Sequence, residues 1–304
     1  MICFYVHKGN QPYYLCSLKH TLSHCPKLNI IAIGDCELKR SSGIFTVACN
    51  QLESERYNLF QQNYLHLSPN FEKYERFCFS RWFYIEAYMK NNGIDQAMHI
   101  DSDVLLNKEP AYTGKYAYCF DSGHTSVFSF EDINGLCSLI LESYLSSKSI
   151  NRLKELYKYK MDKYRAGISD MDFVTMYANS VSGSINLSNC SELGYVYDHN
   201  VNASDGMKMH TNKKVIVYND GRYYFIKNSG ELVEARSIHF QGNSKLYMAS
   251  VSSSPNSERF RYFDYNTSSW NDSIGNDKSS AYMKINEQLY RVKKRIISST
   301  FLNR

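Results

Sequence analysis

The chain has 304 residues, 43% of them hydrophobic and 21% charged, enough for one large core or a core plus an appendage, and unlike a disordered chain or a coiled coil. Its 35 basic and 30 acidic residues leave a net charge of +5, and no Arg/Lys-dense patch interleaves with aromatics in the central region, which excludes a dedicated nucleic-acid binder. Nine cysteines without a C-x-x-C pair argue against a zinc ribbon and fit a reducing compartment. The apolar opening Met1–Val6 is too short for a signal sequence, and no uninterrupted apolar run approaches 18 residues. The expectation is a cytoplasmic chain, soluble or peripheral on a membrane.

In chain order, Ile2–His7 is a compact β run, and Lys8-Gly9-Asn10-Gln11-Pro12 carries turn chemistry. Tyr13–Leu22 has helical spacing, Asn29–Ile33 is a second β run closed by Gly34-Asp35, and Phe45–Ala48 is a candidate third. This β-α-β opening predicts a parallel α/β sheet. Glu72–Met89 reads as a long helix, with Phe77, Trp82, Ile85 and Met89 as core contacts, stopped at Asn91-Asn92-Gly93. A buried strand over Gln96–Ile100 runs into Asp101-Ser102-Asp103. Tyr116–Phe120 and Ser126–Phe130 are further strands; Ile133–Tyr144 and Asp170–Ala178 are helical, and Asn151–Arg165 is a polar, Lys/Tyr-rich helix or lid. Val215–Tyr218 and Tyr223–Ile226 flank Asn219-Asp220-Gly221-Arg222, a hairpin signal, and Ser237–Phe240 is a last strand. Past about Ser250 the chain turns Ser/Asn-rich, with 266–278 also reading as linker, before helical periodicity returns at Ser280–Leu302. The division expected is a catalytic unit over 1–250 and a linker with a basic amphipathic helix over 251–304.

The sharpest pattern is Asp101-Ser102-Asp103. Two carboxylates two positions apart at the end of a buried strand point to the same side, with a small residue between them. Such oxygen donors suit Mn²⁺ or Mg²⁺, which can bridge the phosphates of a sugar nucleotide. A lone D-x-D also arises by chance as a polar strand end, but here apolar runs flank it on both sides. The second pattern is His239-Phe240-Gln241-Gly242-Asn243-Ser244-Lys245: an imidazole at a strand end, a glycine permitting close backbone approach, and a lysine suited to phosphate. A lone histidine is more often an ordinary core residue; the trailing glycine and lysine tilt the balance. Asp121-Ser122-Gly123-His124 reads first as a polar turn, with His124 a candidate for sugar hydroxyls.

These motifs resemble GT-A glycosyltransferases, especially family 8 and the bacterial lipopolysaccharide galactosyl- and glucosyltransferases. The likeness covers about residues 1–250. It implies a Rossmann-like, mixed but mostly parallel central sheet flanked by helices, followed here by a C-terminal helical tail. It implies Asp101, Asp103 and His239 as ligands of Mn²⁺ (or Mg²⁺). Gly242 and Lys245 match the diphosphate-binding end of the family's H-x-x-G-x-x-K, and Arg81 matches an arginine that contacts the donor sugar. The opening strand and helix resemble the segment that receives the nucleotide base, which makes Val6, His7, Asn10 and Asp35, together with Ser102, donor-binding candidates. Where the family carries an acidic-Gln-acidic motif facing the reacting sugar, this chain has Asp170-Met171-Asp172. If configuration is retained, the leaving phosphate takes the acceptor proton; if it is inverted, Asp170 or Asp172 is the natural base. Each also reads as a helix-N-terminal acid stabilised by the dipole.

The implied activity is hexose transfer from a nucleotide-sugar, UDP-linked by resemblance, to a glycan or lipid-linked acceptor in bacterial surface polysaccharide synthesis. Ile285, Leu289, Val292 and Ile296 form an apolar stripe beside Lys284, Arg291, Lys293, Lys294 and Arg295, which suits the anionic inner-leaflet surface; packing on the catalytic unit is the other reading. Two competing functions are a sugar nucleotidyltransferase, disfavoured by a Gly-poor loop after the first strand, and a non-catalytic carbohydrate-binding protein, which needs no diphosphate constellation. Arg81→Ala and Lys245→Ala are expected to weaken donor binding with little change in melting temperature.

Overall fold

The computed structural model describes residues 1–9, 11–35, 43–111, 113–119, 122–210, 212–253, 261–264 and 269–272. The first apolar run forms β1 (Ile2–His7), buried on both faces: Phe4 and Val6 face one side of the sheet, Cys3 and Tyr5 the other. The chain crosses over through α1 (Pro12–His24), which opens on a proline whose fixed φ and missing N–H suit a first helical turn. It returns as β2 (Asn29–Gly34), parallel to β1, and then β3 (Ile44–Ala48), parallel to β2. Next come α2 (Glu55–Asn63), absent from the sequence reading and capped by the Ser54 hydroxyl, and α3 (Glu72–Asn92), which ends on left-handed Gly93 as its stop signal predicts. Together they carry the chain to the other side of β1, where β4 (Gln96–Ile100) pairs parallel to it.

From there the path is β5 (Val104–Leu106), β6 (Ala117–Tyr118), β7 (Thr125–Ser129), α4 (Phe130–Leu145), α5 (Ser147–Tyr164), α6 (Asp170–Ser180) and β8 (Ile185–Asn186). The main sheet has the order β3-β2-β1-β4-β7-β6-β8, and within it β7 alone runs against the rest. The mixed, mostly parallel α/β architecture expected from the alternating elements is therefore present. Helices cover both faces. Leu18 and Tyr14 of α1 pack under Tyr5, Ile30 and Met98, while Phe60, Trp82, Ile133 and Phe173 of α2, α3, α4 and α6 pack under Phe4 and Ile31.

A second sheet follows. Its strands are β12 (Ile216–Asn219), β13 (Arg222–Ile226), β14 (Leu232–His239) and β5, with β9 (Tyr195–Tyr197) pairing parallel to β14, while β10 (Met209–His210) and β11 (Lys213–Lys214) form a separate two-stranded sheet. Asp220 and Gly221 both sit at positive φ, 49° and 79°, the tight turn that the Asn-Asp-Gly-Arg signal predicts between β12 and β13. The last expected strand begins earlier than read, at Leu232, because buried Val233, Ala235 and Ser237 continue its alternation backward. Its far end pairs with β5, which follows β4 of the main sheet through residues 101–103 and so links the two sheets along the chain. In the stretch read as linker, α7 (Met248–Ser253) and a hairpin of β15 (Arg261–Asp264) and β16 (Ser269–Asp272) form instead. The amphipathic stretch beyond Ser280 lies outside the described residues. Among the described residues no helix is long and apolar enough to cross a membrane.

Candidate functional site

The strand order reverses beside β1: β2 lies on one side of it and β4 on the other. In an open parallel sheet this switch point leaves a crevice at the carboxyl ends of the two strands. A cavity of about 430 Å³ lies there. Val6, His7 and Lys8 line it from the end of β1, Gln11 and Tyr13 from the start of α1, and Asp101, Ser102 and Asp103 from the end of β4. Lys73, Tyr74, Phe77, Cys78 and Arg81 close it from α3, and Lys245 from the 3-10 helix Gly242–Tyr247 that follows β14.

Asp101-Ser102-Asp103 is a turn, not the end of the strand. The Val104 N–H donates to the Asp101 carbonyl at 3.1 Å, and β5 starts immediately after. Strand alternation therefore does not align the two carboxylates, and each meets its own cation. Asp101 Oδ1 pairs with Arg81 and lies 2.9 Å from His99 Nε2. Burial works to raise its pKa, but Arg81 and His99 hold the carboxyl well below the usual carboxylate range. Asp103 Oδ2 takes Lys245 Nζ at 3.0 Å, while Oδ1 lies 3.7 Å from His239 Nε2. Burial again opposes ionisation, and His239 with Lys245 brings the carboxyl down to about 2.

His239 arrives through backbone pairing. It sits opposite Val104 in the β14–β5 register, and the next N–H, that of Phe240, donates to the Asp103 carbonyl at 2.9 Å. Its Nδ1 donates to the His199 carbonyl oxygen at 2.6 Å, which leaves the Nε2 lone pair of the neutral ring toward Asp103. Its backbone N–H donates to Asp198 Oδ2 at 3.1 Å. Asp198 is fully buried, and buried Lys214 neutralises it at 2.5 Å. This ion pair fixes the segment that orients the imidazole. Burial disfavours the charged ring, but Asp103 outweighs it, so the His239 pKa is raised above the ordinary imidazole value. Gly242, at φ +64°, turns the chain after β14 and brings Lys245 back over Asp103 and the Tyr13 ring.

Oxygen donors on Asp101 and Asp103 with an imidazole lone pair on His239 are the donor set that Mn²⁺ takes, and the carbonyl-anchored His239 tautomer is the usual support of a metal-binding histidine. Among the described residues no three His, Cys, Asp or Glu side chains already converge as a formed cage. The carboxylates are turned to Arg81 and Lys245, so a cation would compete with those two side chains for them.

Several sequence expectations change. Arg81 is not a free donor-binding cation: it is 9% exposed and bridges Asp101 and Asp170, the latter at 2.8 Å. Asp170, read as a base should the reaction invert, is buried under α3, accepts from Trp82 Nε1 at 3.0 Å and pairs with Arg81. Burial raises its pKa, against the pull of Arg81. Asp172, also read as catalytic, reaches back to the Ser169 N–H at 2.8 Å and pairs with Lys160, as an acid in the first turn of α6. Asp35 does not line the cavity; it accepts the Gly9 N–H at 2.7 Å and so fixes the loop that carries Lys8. Asn10 lies outside the described residues. His124, in a segment read first as a polar turn and as a candidate for sugar hydroxyls, is fully buried. Val6, His7, Ser102 and Lys245 line the cavity.

The residues missed by sequence have a readable signal. Lys73, Tyr74, Phe77 and Cys78 share with Arg81 the three-to-four-residue spacing of one helix face. Lys8, Gln11 and Tyr13 follow directly on a strand end at the edge of the sequence. Asp198 and Lys214 gave no local signal.

No family model matches the chain, and no curated protein matches it. Solved structures do. One is an active-site mutant of LgtC, with 12% identity over 80% of this chain and 88% of that one, at a TM-score of 0.42. Another is mouse xyloside xylosyltransferase 1, with 12% identity over 62% and 85%, at 0.40. A third is the glycosyltransferase GlyE of Streptococcus pneumoniae TIGR4, with 12% identity over 63% and 46%, at 0.37. Superpositions at this level do not carry an activity across, so the chemistry must come from the chain's own residues.

Proposed function

We propose that the protein is a metal-dependent glycosyltransferase that takes its sugar from a nucleoside-diphosphate donor. The observation that carries this reading is the switch-point cavity, where Asp101, Asp103, Arg81 and Lys245 converge and His239 stands behind Asp103. A divalent cation held by Asp101, Asp103 and His239, Mn²⁺ or Mg²⁺, supplies charge neutralisation to the departing diphosphate. Lys245 is placed to give its ammonium to a phosphate oxygen, adding a second positive charge where negative charge builds up. Arg81, fixed by Asp101 and Asp170, presents what remains of its guanidinium to the sugar. His7 and Tyr13, edge to face at 5.8 Å, form the wall suited to the base and ribose.

Among the described residues, Asp101 and Asp103 are the acids that line the cavity. With Asp170 tied to Arg81 and Asp172 to the start of α6, neither stands ready to deprotonate an acceptor. This supports a retaining reaction in which the leaving phosphate takes the acceptor proton. Replacing Asp172 with Ala is therefore expected to cost about 1 kcal/mol of stability through the lost cap, with turnover unchanged. Loss of a general base would instead lower turnover about 10²- to 10⁴-fold; thermal melts and steady-state rates on the same variant separate the two roles.

The family resemblance extends the proposal to a UDP-hexose donor and a glycan or lipid-linked acceptor of a bacterial surface polysaccharide. The basic amphipathic stretch past Ser280 extends it to attachment at the cytoplasmic membrane face. Calorimetry with UDP-, GDP- and CMP-sugars, with and without Mn²⁺, tests the donor. Binding of one nucleotide-sugar that strengthens with Mn²⁺, and donor hydrolysis that stops on exhaustive chelation, is the expected result. Turnover indifferent to chelation defeats the metal role, and pyrophosphate release from a nucleoside triphosphate would identify a nucleotidyltransferase instead.

A further inference from the structure

The α3 wall of the cavity is longer than the part given to the donor. Its lining residues run from Arg81 back to Lys73, which at the α-helical rise is about 12 Å of helix. Burial falls along the way: Arg81 and Cys78 are buried, Phe77 is half-buried, and Tyr74 and Lys73 are exposed. The inner end is therefore Arg81 beside Asp101, and the outer end is the cavity mouth. Two features of that mouth add nothing to the fold. Tyr74 is 60% exposed, and Phe71, three positions earlier, is 64% exposed, so two large rings on one side of the helix are left to water. Lys73 sits in the first turn of α3, where the helix N-terminus and Arg76 three positions on both repel an ammonium. No carboxylate pairs with it among the described residues: Glu72 is taken by Arg76, and Glu75 is buried against Asn70. Lys8, also without an ion pair among the described residues, stands on the β1 wall beside His7, with the nucleotide.

We propose that Lys73, Tyr74 and Phe77 form the acceptor subsite, and that the acceptor is an acidic sugar, one that carries a carboxylate or a phosphate; this rests on the glycosyltransferase reading above. An aromatic ring offers its face to sugar C–H groups, and the tyrosine adds a hydroxyl that can meet a sugar hydroxyl. The ammonium of Lys73, one position from Tyr74 and free of any carboxylate, supplies the counter-charge for the acid. The donor sugar beside Arg81 and the acceptor beside Tyr74 then follow one another along a single helix face.

The test uses the full-length protein and three probes: methyl β-glucoside, methyl β-glucuronide and glucose 6-phosphate. Their binding is read by saturation-transfer NMR titration, with and without the nucleotide that binds in the calorimetry above. At low salt at least one acidic probe should bind about tenfold more tightly than the neutral one, the scale of one hydrogen bond to a charged group. Whichever acid binds more tightly identifies the group, carboxylate or phosphate. The preference should shrink as salt is added, because an exposed ammonium is screened. Lys73→Gln should abolish the preference and leave binding of the neutral probe, whereas Tyr74→Ala should weaken all three probes alike. Both side chains are exposed, so melting temperatures should stay at the wild-type value and the losses should fall on the saccharide rather than on the nucleotide. Equal binding of neutral and acidic probes overturns the inference, as does a preference that survives Lys73→Gln, or no probe bound in either condition. A wild type that binds no nucleotide but keeps the Lys73-dependent preference defeats the donor reading instead and leaves the acidic-sugar site standing.

Discussion

Replacing Asp103 with Asn is expected to lower donor turnover about 10³-fold, the scale of losing a group that stabilises charge developing in the transition state. Asn keeps the volume of the side chain but cannot neutralise a cation. The carboxylate also meets Lys245 at 3.0 Å, so the substitution leaves that ammonium without its counter-charge. A stability effect follows with a defined sign. The Asp103 pKa is depressed from 3.8 to about 2 in the folded chain, so its contribution is fully present above the unfolded value and is lost as pH falls through the folded one. The contribution is on the order of 2 kcal/mol near neutral pH. The gap in melting temperature between wild type and Asp103→Asn, measured without metal, should therefore close as pH is taken from about 4 toward 2. Full turnover in the variant would remove Asp103 from the mechanism. A gap that stays constant with pH would remove its charge from the stability account.

Arg81→Ala is expected to damage both fold and function, which corrects the sequence expectation of a variant with an unchanged melting temperature. The guanidinium is buried between Asp101 and Asp170, and Asp170 is only 2% exposed. Removing one partner of a buried ion pair leaves charge unpaired at low dielectric and costs about 3–5 kcal/mol. For a chain of this size that is a drop of roughly 10 °C in melting temperature. Adding Asp170→Asn to Arg81→Ala should recover part of the loss, since it removes the carboxylate stranded by the first change. Donor binding should weaken in both variants, because Asp101 loses the cation that orients it. A melting temperature within a degree of wild type in Arg81→Ala would show that Arg81 is not the structural centre of the site. Arg81→Lys separates charge from geometry: an ammonium cannot serve two carboxylates with a planar fork, so stability should lie between the two extremes.

The contrast between Asp170 and Asp172 shows what a linear reading reaches. They are two positions apart in the chain, and the family resemblance points both toward the reacting sugar. On a helix, positions i and i+2 point roughly 200° apart, so both cannot face one cavity. Asp170 turns inward to Arg81 and Trp82, and Asp172 turns to Ser169 and Lys160. Which of the two turns inward depends on α6 packing against α3, a contact between segments some ninety residues apart.

By itself the sequence determined the alternating β and α elements, since short apolar runs such as Ile2–Val6 and Asn29–Ile33, bounded by turn residues, suit strands buried on both faces. It also determined the residue types of the site, Asp101, Asp103, His239 and Lys245, because their chemistry and spacing are local. The tertiary structure alone decided the pairing of those charges. Arg81 reaches Asp101 only because α3 crosses behind the end of β4, and His239 meets Asp103 only because β14 pairs with β5. The burial of His124 against His239, and of Lys214 against Asp198, likewise joins residues that share no pattern in the chain. Long-range burial sets which titratable groups are paired and which are left free, and no local periodicity records it.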